Sequence, residues 1–393
     1  MATPQGHCDR RFSALREIFE AHLTSGSELG ASICVSIDGE TVVDLWGGYK
    51  TADREETWTK DTISPVWSIS KTISAVAILL LIDRGQLSPD DPLAKFWPEF
   101  DTDGKRAILV RHCLAHTAGL PSWDPPITTK EFYDIPLATE KLVEQNPWWE
   151  PGTASGYHLL SQGFLLGGIV ERVSGRSLPQ FVREELAIPL DADFHLGIQD
   201  EKEWGRIAEM VPPEALSRED LLAMGKKGPD GKLSIGIRAI LGFMAKAEYT
   251  STPEFRRCGI GSIGGFSNAR GFNRILDIIT LRGESEGKRY LDPSTVDLIF
   301  QTQAEGRDLV LGMPLKMGMG FGLVNNSMEW MPTGRVCFWG GWGGSIAVMD
   351  LDRRVTFTYS MNRMENGTLG SARAEDYLKA VYDILDGTTQ ASL

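Results

Sequence analysis

The sequence predicts an α+β protein in which an antiparallel sheet, built from both ends of the chain and flanked by helices, is interrupted by an inserted, mainly helical domain. Three observations predict it. Short runs rich in Val, Ile and Cys lie at 31–37 and 41–45 and again at 335–338, 345–349 and 355–360, so strand patterns gather towards opposite ends of the chain. Helical spacings fill the middle, at 69–83, 138–143, 159–173 and 178–186. The length, 393 residues, exceeds one average domain, while 42% hydrophobic and 24% charged residues are ordinary globular values. The expected division is a sheet domain from 1–60 plus 255–393 and a helical domain from 61–254, with the active site in the cleft between them.

The elements follow in order. Phe12, Leu15, Ile18, Phe19 and Leu23 recur at helical spacing, which predicts an amphipathic helix over 12–23. Asp38-Gly39 between the first two strands is a hairpin turn signal. The longest apolar run, 73–82, is about half the ~20 residues a membrane span needs, so it reads as a buried helix. The stretch 201–252, with Lys226-Lys227-Gly228-Pro229-Asp230-Gly231, reads as a long excursion. A helix over 271–281, the three late strands and a final helix over 372–385 complete the pattern.

Charge narrows the partners. Fifty-three acidic residues against 40 basic give a net charge of −13, which disfavours a nonspecific grip on nucleic acid or an anionic membrane. Cys8, Cys34, Cys113, Cys258 and Cys337 are odd in number and widely spaced, so free thiols are expected rather than disulfides or a zinc site. The first twenty residues include Arg10, Arg11, Arg16 and Glu17 and no apolar signal region, and a cytoplasmic location is expected. Ala391-Ser392-Leu393 lacks the central cation of a peroxisomal ending.

The sharpest local feature is Ser68-Ile69-Ser70-Lys71 at the head of the apolar helix. Three residues along a helix place Lys71 on the face of Ser68. An alcohol becomes a nucleophile when a base takes its proton, and a partly desolvated lysine can do so, alone or with a phenol. The same tetrapeptide would also serve as a Ser N-cap followed by a surface lysine. Two further segments alter that balance: Pro151-Gly152-Thr153 with Tyr157, leading into a helical pattern, and Trp339-Gly340-Gly341 followed by Trp342-Gly343-Gly344-Ser345. In this order and spacing the three resemble the serine beta-lactamase and penicillin-binding-protein superfamily, and within it the class C-like branch that contains family VIII carboxylesterases and related acyltransferases. The stretch 110–121 also resembles that branch, and the resemblance spans about 31–364.

The resemblance implies a beta-lactamase-like fold and a cofactor-free, metal-free serine hydrolase that cleaves carboxylic esters. Ser68 would be acylated, with Lys71 and Tyr157 sharing its proton and Lys71 stabilising a Tyr157 phenolate. The backbone N–H groups of Ser68 and Trp342 would form the oxyanion hole. Trp339, Gly340 and Gly341 would line the cleft on an inner edge strand, with glycines letting substrate approach the backbone, and Trp123 and His158 would join the substrate pocket. The superfamily's lactam-recognising members carry Lys-Thr/Ser-Gly where Trp339-Gly340-Gly341 stands, and class C enzymes carry Tyr-x-Asn where this chain has Tyr157-His158-Leu159. Both departures remove groups suited to a beta-lactam and favour an uncharged small-molecule ester, as does the Trp-Gly-Gly form shared with the esterase branch. The main alternative is an acyltransferase that passes the acyl group to an alcohol or amine. Beta-lactamase or D-amino peptidase activity, or a noncatalytic binding role, would be further readings. The oligomeric state is not legible.

Other apparent sites carry less. Gly283-Glu284-Ser285-Glu286-Gly287 matches G-x-S-x-G formally but lacks the preceding apolar strand, so a solvated loop is expected. His112 and His116, four apart and able to share a helix face, lack acidic ligand neighbours and read as local hydrogen-bonding groups rather than zinc ligands. Of the 11 tryptophans, two or three of those near the motifs are expected to line an acyl pocket.

Overall fold

The computed structural model describes residues 3–213, 218–224 and 231–387. The fold is α+β, with a nine-stranded antiparallel sheet at its centre. In spatial order the strands are Gln5–Cys8, Glu40–Gly48, Gly30–Ile37, Val355–Met361, Ile346–Asp350, Val336–Gly340, Gly322–Leu323, Pro314–Met317 and Ala304–Arg307. The expected strands from both ends are present, and Gly30–Ile37 pairs with Val355–Met361 along its whole length, from Ala31 opposite Met361 to Ile37 opposite Val355. Four strands extend the sheet beyond the sequence pattern: Gln5–Cys8 at one edge, and Ala304–Arg307, Pro314–Met317 and Gly322–Leu323 at the other.

Alternation along Val355–Met361 covers both faces. Thr356 and Thr358 turn towards the Ala269–Thr280 helix, where Asp277 accepts from the Thr356 hydroxyl at 2.5 Å and Thr358 donates to Ala269 O at 3.0 Å. Tyr359 turns the other way and meets Tyr377 of the Ala372–Leu385 helix edge-on at 5.2 Å. Phe19 of the Ser13–Ser25 helix packs on the same Tyr377 at 5.9 Å. The sheet thus lies between helices from both ends of the chain and one helix from the later middle.

The Ile69–Asp83 helix is the axis of the remaining helices. Every side chain from Ile69 to Leu81 is buried, which is why its sequence is apolar all round rather than amphipathic. The Ser161–Ser174 helix packs against it, and glycines let other parts of the chain close on that second helix: a Cβ on Gly168 would stand 2.3 Å from the Trp97 ring, and one on Gly163 would stand 2.3 Å from Ser262 N. A three-stranded sheet of Ser64–Pro65, Gly265–Ser267 and Phe194–Leu196 leads into the helix N-terminus.

Several expectations change. Helix 178–186 is an α-helix only over Leu178–Val182 and continues as a π-helical turn, Arg183–Ala187. The excursion 201–252 contains helical segments at Glu201–Arg206, Arg218–Met224, Ile235–Gly242 and Ala247–Ser251, while Lys226 to Asp230 lie outside the described residues, as do Ala391, Ser392 and Leu393. Residues 283–287 form the turn of a hairpin, Glu284–Ser285 with Lys288–Arg289, rather than a solvated loop, and the Ser285 side chain is buried. His112 and His116 share no helix face, because the helix there is Val110–Leu114 and His116 has φ 61°. Among the described residues, no helix is long and apolar enough to cross a membrane.

Candidate active site

The chain into Ser68 is pinned from both sides. Ser64 and Pro65 pair with Ser267 and Phe266, and Val66 N–H donates to Gly265 O at 2.9 Å. Trp67 takes φ 49°, a left-handed conformation that costs a bulky residue on the order of a kcal/mol or more. Its buried ring is wedged between Phe255 at 5.5 Å and Trp342 at 4.9 Å, which holds that conformation in place. Ser68 occupies the N-cap position of Ile69–Asp83 but makes no side-chain cap bond. Its hydroxyl is turned to Lys71 instead, with Oγ 2.9 Å from Nζ.

Lys71 is buried and its Nζ also lies 2.7 Å from Leu159 O and 3.1 Å from Ser262 O. Burial holds its pKa well below the usual lysine value. A neutral amine has two N–H donors and one lone pair; the two carbonyls accept the donors, and the lone pair is left for the Ser68 O–H. Neither carbonyl carries a sequence signal, since any residue supplies one.

Tyr157 sits in an irregular segment just before the Ser161–Ser174 helix. Its hydroxyl hydrogen bonds with Ser68 and accepts from the Trp339 indole N–H at 3.1 Å, while Lys71 Nζ lies 4.9 Å from its ring centre. Burial pushes the phenol's pKa above its ordinary value, more than its hydrogen bonds with Ser68 and Trp339 lower it. Burial thus disfavours the charged form of both groups, the ammonium at Lys71 and the expected phenolate at Tyr157. His116 packs edge-on to Tyr157 at 4.7 Å, and Asp308 Oδ1 accepts the Tyr157 N–H at 3.0 Å.

Other expected site residues fall differently. His158 is fully buried, with Nδ1 2.7 Å from Gly156 O and Nε2 accepting from Leu120 N–H at 3.2 Å; both ring nitrogens are occupied, burial depresses its pKa to about 4, and it braces the loop rather than facing substrate. Trp123 lies apart from this cluster: its indole N–H donates to Ala138 O, and its buried ring packs on Phe132 and Phe164 as core. Trp339 to Gly341 do not lie on an edge strand. Val336–Gly340 is inside the nine-stranded sheet, although Gly322–Leu323 reaches only Phe338 and Cys337, leaving one side of Trp339 and Gly340 without a strand. The glycines there serve the chain itself, because a Cβ on Gly340 would meet Leu369 Cα at 2.6 Å and one on Gly341 would meet Val66 O at 2.5 Å.

Gly341 N–H donates to Ser345 O at 2.7 Å and Gly343 N–H to Gly367 O at 2.8 Å. Among the described residues, the N–H groups of Ser68 and Trp342 donate to no other group of the chain. A groove of about 760 Å³ bordered by Trp97, Val143, Phe164 and Leu178 contains none of Ser68, Lys71, Tyr157, Trp339 or Trp342.

A serine whose hydroxyl rests on a buried amine, beside an antiparallel sheet sandwiched by helices, defines the class of serine hydrolases with a Ser-x-x-Lys motif. The chain belongs to the Beta-lactamase family, whose model matches residues 15–382. Among its relatives it is 30% identical over 364 residues to the esterase/beta-lactamase LipL of Mycobacterium tuberculosis, covering 91% of this chain and 83% of that protein. Among solved structures it is similar to a family VIII carboxylesterase (29% identity, TM-score 0.88, covering 97% of this chain and 99% of the other). It is also similar to a penicillin-binding protein homologue from Caulobacter crescentus (32% identity, TM-score 0.87, with the same coverage of 97% and 99%).

Proposed function

We propose that this serine hydrolase cleaves small, uncharged carboxylic esters through an acyl-enzyme on Ser68. The observation that carries the reading is the position of Lys71, with Nζ 2.9 Å from Ser68 Oγ and its two remaining contacts both carbonyl oxygens. The Lys71 amine takes the Ser68 proton as Oγ bonds to the ester carbonyl carbon. The N–H groups of Ser68 and Trp342 receive the resulting oxyanion. As the C–O bond to the alcohol breaks, Tyr157 gives its proton to the departing oxygen and is reprotonated by the Lys71 ammonium. Water then attacks the acyl carbon by the reverse path and frees Ser68. The preference for uncharged esters is supported by Trp339, which places an indole committed to Tyr157 where lactam-recognising relatives have a cation. A cytoplasmic setting is supported by the five cysteines, all free.

The test is intact-protein mass after brief exposure to p-nitrophenyl esters from acetyl to decanoyl, with wild type beside Ser68→Ala. One acyl adduct, present only with Ser68 and followed by turnover, is expected. Turnover by Ser68→Ala at the wild-type rate would overturn the reading. Product analysis with added alcohols or amines separates hydrolysis from acyl transfer.

A further inference from the structure

We propose that Asp308 is the positioning residue for Tyr157, clipping the segment that carries the phenol so that its hydroxyl stands at Ser68; this rests on the general-acid role assigned to Tyr157 above. Residues 153–160 form neither helix nor strand, so no regular backbone ladder fixes Tyr157. His116 holds Gly156 and His158 on either side, through Gly156 N–H to His116 O at 3.0 Å and His158 N–H to His116 Nδ1 at 3.1 Å, and Asp308 holds Tyr157 itself from a distant part of the chain. Its Oδ1 accepts Tyr157 N–H at 3.0 Å, and its Oδ2 accepts the Ser155 hydroxyl at 2.7 Å. The same Oδ1 accepts Val310 N–H at 2.9 Å and Leu311 N–H at 2.8 Å, which fixes the carboxylate in its own turn. Leu309 N–H closes the clip by donating to Ser155 O at 2.8 Å.

The carboxylate is only 1% exposed, and all four of these donors are neutral, so its charge is solvated by dipoles rather than cancelled by a cation. A buried negative charge beside Tyr157 opposes loss of the phenolic proton. Burial is the larger influence that keeps the proton on Tyr157, and Asp308 holds the residue where that proton can reach a leaving group.

The experiment compares two esters of one acid, p-nitrophenyl butyrate and ethyl butyrate, in wild type, Asp308→Ala, Asp308→Asn, Ser155→Ala and Tyr157→Phe. A nitrophenolate departs without a proton and an ethoxide does not, so a misplaced general acid harms only the second substrate. Asp308→Ala should lower kcat/KM for the ethyl ester about 100-fold and for the nitrophenyl ester by less than about threefold. Asp308→Asn keeps an oxygen for the three backbone N–H groups and should recover most of that loss. Equal losses on both esters, no loss on either, or an Asn variant as impaired as Ala would overturn the proposal. If Asp308→Ala does not fold, Ser155→Ala must show the selective loss on the ethyl ester, and its absence overturns the proposal equally. Tyr157→Phe separates the two layers. If it shows no selectivity, the general-acid reading fails; if it is selective while the Asp308 and Ser155 variants are not, only the assignment of Asp308 fails.

Discussion

The indole N–H of Trp339 donates to the Tyr157 hydroxyl at 3.1 Å, joining the central sheet to the loop opposite Ser68. The strand that lacks the cation of lactam-recognising relatives thus still supplies a donor to the phenol.

Trp339→Phe keeps an aromatic ring in the sheet and removes that donor, together with part of the buried ring. One hydrogen bond to a reacting group is worth on the order of 1 kcal/mol, so kcat should fall about fivefold while KM for the same ester stays within about twofold. Steady-state kinetics on an alkyl ester checks this; a change confined to KM would make Trp339 a substrate contact instead.

Burial holds Lys71 below the ordinary lysine range, so its active, unprotonated form persists towards neutral pH. The sign follows: kcat/KM rises with pH as Lys71 loses its proton and is flat above that point, well short of the ~10.4 of a free lysine. Lys71→Arg, which stays protonated, should acylate at least about 1,000-fold more slowly. A wild-type acid limb that reaches its plateau only near pH 10 would contradict the buried-amine account.

Asp277, beneath the sheet, accepts from Ser36 at 2.6 Å and Thr356 at 2.5 Å, and burial pushes its pKa up to about 6. Below about pH 4 the folded and unfolded chains both hold this proton; between about 4 and 6 only the folded chain does. Its contribution to stability is therefore full below the unfolded pKa and lost as pH rises through 6. Asp277→Asn keeps the acceptor and removes the charge. The stability difference between variant and wild type should shift in favour of the variant by up to about 3 kcal/mol between pH 4 and pH 7, read from urea unfolding.

Gly163 and Gly167 lie one turn apart on the Ser161–Ser174 helix but should respond in opposite ways. A Cβ at 163 would press on Ser262 N at 2.3 Å and Ser262 Oγ at 2.7 Å, and Ser262 O holds Lys71. Gly163→Ala should cost about 1–3 kcal/mol and lower kcat as well. A Cβ at 167 meets nothing nearer than Leu178 at 4.0 Å, so Gly167→Ala should be neutral or stabilise by up to about 1 kcal/mol. Thermal unfolding of the pair, with kcat, tests both.

The parts of the fold legible in the sequence are those with their own pattern. The Ile69–Asp83 and Ala372–Leu385 helices match the expected ranges because apolar content and periodicity mark them from end to end. Ala304–Arg307 and Pro314–Met317 have no alternation to read; Glu305, Gly306 and Pro314 become strand residues only because a neighbouring strand pairs with them. At the site, Ser68, Lys71 and Tyr157 come together from recognisable motifs. Asp308 left no signal, since an isolated aspartate acquires meaning only when Ser155 and Tyr157 are folded onto it. Trp123 and His158 are expected in the substrate pocket, but their own hydrogen bonds turn them inward, and no sequence pattern marks those partners.

The pairing of Gly30–Ile37 with Val355–Met361 joins two strands that are far apart in the chain, so the second is made long after the first. A chain leaving the ribosome carries Ser68, Lys71 and Tyr157 long before Val336–Gly340 and Trp342 emerge to meet them. Until then the apolar Ile69–Asp83 helix lacks part of its cover, and the oxyanion donor from Trp342 does not exist. Long-range closure of this kind slows folding and prolongs exposure of sticky surface. An incomplete oxyanion hole and an incompletely covered helix thus belong to the same interval, and both are completed when Val336–Gly340 and the strands beside it dock.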